Sequence, residues 1–349
     1  MIGLLVSLAW LLCAPEEAEL LFVGDAMMHQ RQIDAALQPD GTHSFDACFD
    51  SIRRWVSEAD YAVVNLEAPL GGEPYTGYPM FSAPDSYAQA LRDAGFDLTL
   101  TANNHCLDRR DRGLQRTIAV LDSLAMPHIG TYSPASVRDS LALHIADVNG
   151  FRIGFLNYTY GTNGIRHGAA VAVDPIDVSL IEADIARARS RGVELVAVCI
   201  HWGVEYRMLP EQSQRDTGSR IHRAGAGVVV GSRPRVIQPA EMAADSAGRR
   251  HLTVYSLGNF LSAMRTPDTR GGAAVSVTLR RDRLGRPYID RAESHLLFTV
   301  TPSRPGEPFR VVRADRPIHD DQEAEEQRIE FARRAAEILR QHNKNVKAP

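Results

Sequence analysis

Residues 20–29 read Leu20-Leu21-Phe22-Val23-Gly24-Asp25-Ala26-Met27-Met28-His29, an apolar run that passes straight into a glycine and a carboxylate. A short apolar run of this kind predicts a buried strand, and in open α/β sheets the strand tip is where ligands are met. The glycine predicts a tight turn that presents Asp25. The pattern recurs at Ala62–Val64, Leu98–Thr101, Ile153–Leu156, Leu195–Ile200, Val228–Val230 and Leu252–Leu257. Helical periodicity at Tyr87–Ala94, Leu114–Leu124, Val178–Arg191 and Glu211–Arg223 fills several of the gaps. This alternation predicts an α/β protein with mixed sheets flanked by helices. Farther on, Ala273–Leu279 and Tyr288–Val300 flank a Gly285-Arg286-Pro287 turn, which predicts antiparallel strands closing a mixed sheet.

The 349 residues carry 39 basic and 43 acidic side chains, a net charge of -4, which provides no overall positive field for nucleic acid. With 44% hydrophobic and 23% charged residues the chain is globular. The opening Met1–Ala14 is apolar, too short for the roughly 20 residues of a membrane-spanning helix, and suits the core of a signal peptide. Residues 1–18 therefore predict export to the periplasm or exterior, with no stable transmembrane span; a buried first strand is the alternative. The folded domain is expected over 19–301, and 302–349 as a Pro-rich segment with a charged helical appendage. Cys13, Cys48, Cys106 and Cys199 have no paired spacing, so no disulfide scaffold is expected.

Polar residues gather where the predicted strands end. Asn65 and Glu67 follow the second run; Asn103, Asn104, His105 and Asp108 follow the third; His201 and Glu205 lie in AVCIHWGVEY. Beyond these come Arg233 and Arg235 in GSRPRVIQP and Asn259 in YSLGNF. Taken singly, each has an ordinary structural role: a helix cap for Asp25, a turn for Asn103 and Asn104, a hydrogen-bonded core imidazole for His201. Carboxylates, amides and imidazole on separate strand ends of one sheet edge point instead to a shared site. His29, His43, His128, His144, His167 and His222 lack such companions and read as structural or surface residues.

In order, the segments GDAM, NLEAPL, TANNHCLD, HWGVEY, GSRPRVIQP and YSLGNF resemble the motif series of the CapA family, over roughly Leu20–Ser262. That family is associated with poly-γ-glutamate capsule synthesis and resembles the calcineurin-like metallophosphoesterases. The resemblance implies a sandwich of two mixed β-sheets flanked by helices, with a site for two metal ions. It assigns Asp25 to a first metal, Glu67 as the bridging carboxylate, Asn104 and His201 to a second metal, and His105 as the acid near the leaving group; the mixed oxygen and nitrogen donors favour a divalent transition metal, Mn, Fe or Zn. Asn103, Glu205, Arg233 and Arg235 are expected to contact substrate, either a phosphate ester or an acidic polymer. Capsule synthesis machinery is the implied partner.

One departure matters. Where the family reads G-S-H-P-H, this chain has Gly231-Ser232-Arg233-Pro234-Arg235. Guanidinium stays protonated and offers no lone pair, so neither arginine can be a ligand. Cys106 is a milder departure, standing where an acidic residue is usual. At most one ion, or none, is expected. Three readings of the arginines stay open: fixed positive charge beside Asp25 and Glu67, forks gripping an anionic ligand, or solvent-facing remnants of a decayed site. The functional expectation is a metal-dependent, phosphoesterase-like hydrolase with an impaired site. The alternative is a non-catalytic accessory protein that binds an acidic polymer through Arg233 and Arg235.

Overall fold

A computed structural model of the chain describes residues 17–304 and 306–349. Most of the expected leader lies outside the described residues. Glu17 and Ala18, counted with that leader, instead begin the strand Glu17–Ala26, and Ala18 is fully buried.

The eight-stranded sheet is built around Glu17–Ala26, with Tyr61–Leu66, Leu98–Leu100 and His128–Ile129 following in parallel on one side. On the other side Gly271–Arg281, Pro287–Val300 and Arg310–Arg313 are antiparallel, as the Gly-Arg-Pro turn predicted. The six-stranded sheet has the order Ile237–Ala244, Arg250–Leu257, Val228–Ser232, Leu195–His201, Phe151–Thr159, His144–Val148. Its four middle strands are parallel and its two edge strands antiparallel.

Side chains alternate across a strand, and this sequence uses both faces. Leu20 and Phe22 meet Val63, Phe155, Ala197, Val230 and Val254 between the two sheets. Their neighbours Leu21 and Val23 point outward, with Ala62 and Val64, onto Ile52 of helix Asp50–Ser57 and Leu91 of helix Asp85–Asp93. In the second sheet Leu156, Val198 and Val229 face Ile181, Ile185 and Ile221 of helices Val178–Ser190 and Gln212–Ala224. The layering is helix, sheet, sheet, helix. Strands buried on both faces explain why the runs are continuously apolar rather than alternating.

The segment after residue 301 is no appendage. Arg310–Arg313 pairs with the end of Pro287–Val300, and helix Gln322–His342 buries Phe331, Ala335 and Leu339 in the core between the sheets. The helix was read as peripheral because its charged face dominates its composition, whereas its apolar stripe is narrow.

Gly24 also differs from expectation. Its strand continues through Asp25 with no left-handed turn, but a Cβ on Gly24 would lie 2.0 Å from the Gly258 carbonyl oxygen. The residue is needed for close backbone approach, not for turning. Asn259–Leu261 joins the tip of the first strand at this point, and the Asp25 amide donates to Gly258 O at 3.0 Å.

Candidate functional site

The parallel strands of both sheets end at one edge of the sandwich. Asp25, Asn65, His201 and Ser232 are strand-end residues, and Glu67 and Asn104 lie just beyond theirs. One ligand atom each from Asp25, Glu67 and His201 lies within 4.8 Å of the others, and all three side chains are buried. The four residues expected to meet do meet: His201 Nε2 is 2.7 Å from Asn104 Oδ1 and 3.5 Å from Glu67 Oε1, and Nδ1 is 3.9 Å from Asp25 Oδ1.

Around them is a hydrogen-bonded shell. Asn65 donates through Nδ2 to Asp25 Oδ1 at 2.6 Å, and the Arg233 amide donates to Asp25 Oδ2 at 3.2 Å. Ser232 Oγ lies 2.8 Å from His201 Nδ1. The phenol ring of Tyr160 stacks on His201 with centroids 6.2 Å apart and carries the Arg233 guanidinium 3.9 Å above its own centroid. Asn163 Oδ1 accepts from Asn104 Nδ2 at 3.0 Å. Ser232 and Tyr160 carry no sequence signal beyond their position, the one ending its strand and the other following Thr159 at the end of another.

The arginines are not solvent-facing remnants. Arg235 is 3% exposed; it donates to Glu67 Oε2, lies 3.5 Å from Asp25 Oδ2 and places Nε 3.5 Å from Glu205 Oε1. Arg233 is half-buried and donates to the Gly203 carbonyl. Both have left-handed backbones, φ 97° and 63°, uncommon for residues with side chains and sustained here by the contacts on either side. Arg235 is therefore spent on carboxylates and cannot reach a ligand in the manner expected of it. Asn103 is spent as well: fully buried, it donates to Leu66 O at 2.9 Å and Asn65 Oδ1 at 3.3 Å and accepts from the His105 amide at 3.2 Å, clamping its loop. Glu205 remains at the rim, its side chain 38% exposed.

His105 sits beside the pocket with Nδ1 2.7 Å from Asp108 Oδ2 and its ring against Phe81, centroids 4.4 Å apart. Asp108 fixes the ring, and Nε2 has no hydrogen-bond partner among the described residues.

Charge in the pocket is balanced internally. Burial, then the charge of Glu67, pushes Asp25 up to about 8 against the pull of Arg235 and Asn65. Burial would raise Glu67 too, but Arg235 and then His201 outweigh it and hold that carboxyl far below the usual range. Burial lowers His201 to about 4; Glu67 opposes this, and the two arginines add to it.

The two-cation arrangement does not fit these residues, because Arg235 stands against both carboxylates where the first cation would have to bind. A single cation fits better. Glu67 Oε1 is buried with no hydrogen-bond partner and faces His201 Nε2 and, beyond it, Asn104 Oδ1. The Ser232 hydroxyl can rotate to accept from His201 Nδ1–H, which leaves Nε2 free as a ligand.

The model of the family described as "Bacterial capsule synthesis protein PGA_cap" matches residues 19–264. The chain belongs to this family. It is 27% identical over 277 residues to the capsule biosynthesis protein CapA of Bacillus anthracis, covering 76% of this chain and 64% of that protein. With the PGA biosynthesis protein CapA of Bacillus subtilis it shares 26% identity over 286 residues, 78% of this chain and 71% of the relative. The PGA_cap chain thus spans roughly two thirds of each relative's length. Its fold is similar to the NAD nucleotidase of Haemophilus influenzae, with a TM-score of 0.53 and 12% identity, over 95% of this chain and 65% of the other. A putative 5'-nucleotidase from Staphylococcus aureus gives a TM-score of 0.51 and 12% identity, over 90% and 58%. The chain shares the fold of these two proteins, a sandwich of mixed sheets flanked by helices. Among the described residues no helix is long and apolar enough to cross a membrane.

Proposed function

We propose that this chain is an exported protein of poly-γ-glutamate capsule synthesis or processing. Its metallophosphoesterase-type pocket has exchanged one cation for Arg235 and keeps a place for at most one divalent transition ion. The observation that carries the reading is the buried Arg235–Glu67 ion pair beside the unpartnered Glu67 Oε1. Glu67, Asn104 and His201 would hold that ion, with Mn, Fe or Zn suited to the mixed oxygen and nitrogen donors. Bound there, it would act as a Lewis acid on a phosphoryl or acyl oxygen.

The chain's own residues do the rest. Asp108 accepts a hydrogen bond from His105 Nδ1–H, so Nε2 can accept or return a proton as a leaving group departs. Arg233, held on Tyr160, presents its guanidinium to an anionic substrate, a phosphate ester or an acidic polymer. Arg235 supplies a permanent positive charge to Asp25 and Glu67. The alternative, a non-catalytic accessory protein gripping an acidic polymer with both arginines, has support from Arg233 alone, since Arg235 is sealed.

The test is metal content after chelation and reloading, measured with a generic phosphodiester assay. It compares the natural chain, His201→Ala and the double variant Arg233→His, Arg235→His. At most one ion is expected in the natural chain and none in His201→Ala, with a second ion and faster hydrolysis in the double variant. Two tightly held ions in the natural chain would sink the reading.

A further inference from the structure

At the opposite edge of the six-stranded sheet, where strands Leu195–His201, Val228–Ser232 and Arg250–Leu257 begin, lies a cleft of about 820 Å³ between helix Gln212–Ala224 and the Tyr288 region. That volume is near the top of the roughly 300–1,000 Å³ range in which pockets hold organic ligands.

Five arginines line it against three acids. All three acids are already neutralised. Glu194 is held by Arg281 at 2.7 Å, Glu241 by Arg215 at 2.8 Å and Lys344 at 3.2 Å, and Asp245 by Arg249 at 2.8 Å. That leaves Arg189, Arg223 and Arg250, none with a carboxylate within 4.0 Å among the described residues. Arg223 donates only to Ser219 Oγ at 2.9 Å and Arg250 only to main-chain carbonyls, the shorter contact 2.6 Å to Asp290 O. Arg189 lays its guanidinium head against Gly225, the left-handed C-cap of helix Gln212–Ala224, where a Cβ would fall 1.5 Å from its Nη2. Three forks without a carboxylate partner line one cleft, and a ligand bearing several anionic groups would pair with them.

We propose that this cleft is a second binding site, separate from the carboxylate pocket, which takes an extended ligand bearing several carboxylates. Size and the number of forks favour a stretch of acidic chain over a single small anion. The choice of carboxylate rests on the capsule reading above; the existence of an anion site does not.

The experiment measures binding of a fluorescent glutamate oligomer by anisotropy at low and raised salt. It uses the natural chain, Arg189→Glu with Arg223→Glu, and His201→Ala. The natural chain is expected to bind more weakly in salt and the double reversal to lose at least about tenfold in affinity, while metal content in His201→Ala reports on the carboxylate pocket separately. Should the reversal fail to fold by circular dichroism, Arg189→Gln with Arg223→Gln decides, with a smaller loss expected. No binding by the natural chain, or binding indifferent to these changes, overturns the site. Equal or tighter binding of a polyphosphate chain overturns the carboxylate assignment. Loss of metal in His201→Ala with oligomer binding intact bears on the carboxylate pocket alone.

Discussion

The Arg235 guanidinium donates to the Glu67 carboxylate inside the protein, with 3% and 0% of the two residues exposed. A guanidinium cannot lose its proton at physiological pH, so the positive charge there is permanent, unlike that of an exchangeable ion. It lies against both Asp25 and Glu67.

Removing that charge should therefore be costly. Arg235→Ala leaves the ionised Glu67 buried without its counter-ion and is expected to destabilise the chain by about 3–5 kcal/mol in chelator, measured by urea unfolding. Added Zn²⁺ or Mn²⁺ should restore part of the loss, about 2.7 kcal/mol at a hundredfold excess over Kd. A variant as stable as the natural chain in chelator would show that Arg235 carries no such role.

Gly24→Ala is expected to cost about 1–3 kcal/mol, since its Cβ would collide with a backbone carbonyl that has no rotamer to change. The same shift would strain the Asn65–Asp25 hydrogen bond beside it. Unchanged thermal unfolding would mean the two strands separate more easily than their hydrogen bonds suggest.

The C-terminal tail fastens the two sheets together. Lys344 donates to Ala240 O at 3.0 Å and accepts from Met242 N at 2.8 Å; three residues on, Lys347 donates to Ala292 O at 3.0 Å and accepts from Ser294 N at 2.8 Å. Deleting residues 343–349 should lower stability by about 2 kcal/mol after the entropy of the freed tail is counted. Hydrogen exchange should rise selectively at Met242 and Ser294, and unaltered protection there would refute the clip.

His222 gives a pH signature. Its Nδ1–H donates to Ala226 O at 2.9 Å and Nε2 accepts from Thr253 Oγ1 at 2.8 Å, an arrangement that requires the neutral ring. Burial lowers it to about 4, the Ala226 bond opposing and His251 adding to the shift. Because the unfolded chain, with a His pKa of about 6.5, takes up the proton first, this contribution is complete above pH ~6.5 and fades as pH falls toward ~4. Its ceiling is about 3 kcal/mol, read as the difference between natural and His222→Gln unfolding curves. Parallel curves would rule it out.

Much of the site was legible because its signal is local. Each polar residue stands at a strand tip or within four residues of it, so Asp25, Glu67, Asn104 and His201 could be picked from separate stretches and their convergence inferred from the sheet rule. Arginine in place of histidine is likewise visible in a line of text, because loss of a lone pair is a property of the residue. Direction was not legible. Nothing in GSRPRVIQP distinguishes an outward fork from one turned onto Glu67, and Asn103 reads like its neighbour Asn104 although one clamps a loop and the other faces His201.

The sequence by itself determined the main alternation of strands and helices, the four strand-end residues Asp25, Glu67, Asn104 and His201 and the replacement of two imidazoles by Arg233 and Arg235, since hydrophobic period and side-chain chemistry act over a few residues. Only the tertiary structure decided that Arg235 is a buried counter-ion, that Gly24 is a contact between strands, that the last helix belongs to the core and that unneutralised arginines share a distant cleft. Each of these depends on which groups distant in the chain come within a few ångströms, and burial and Coulomb energy are set by that distance alone.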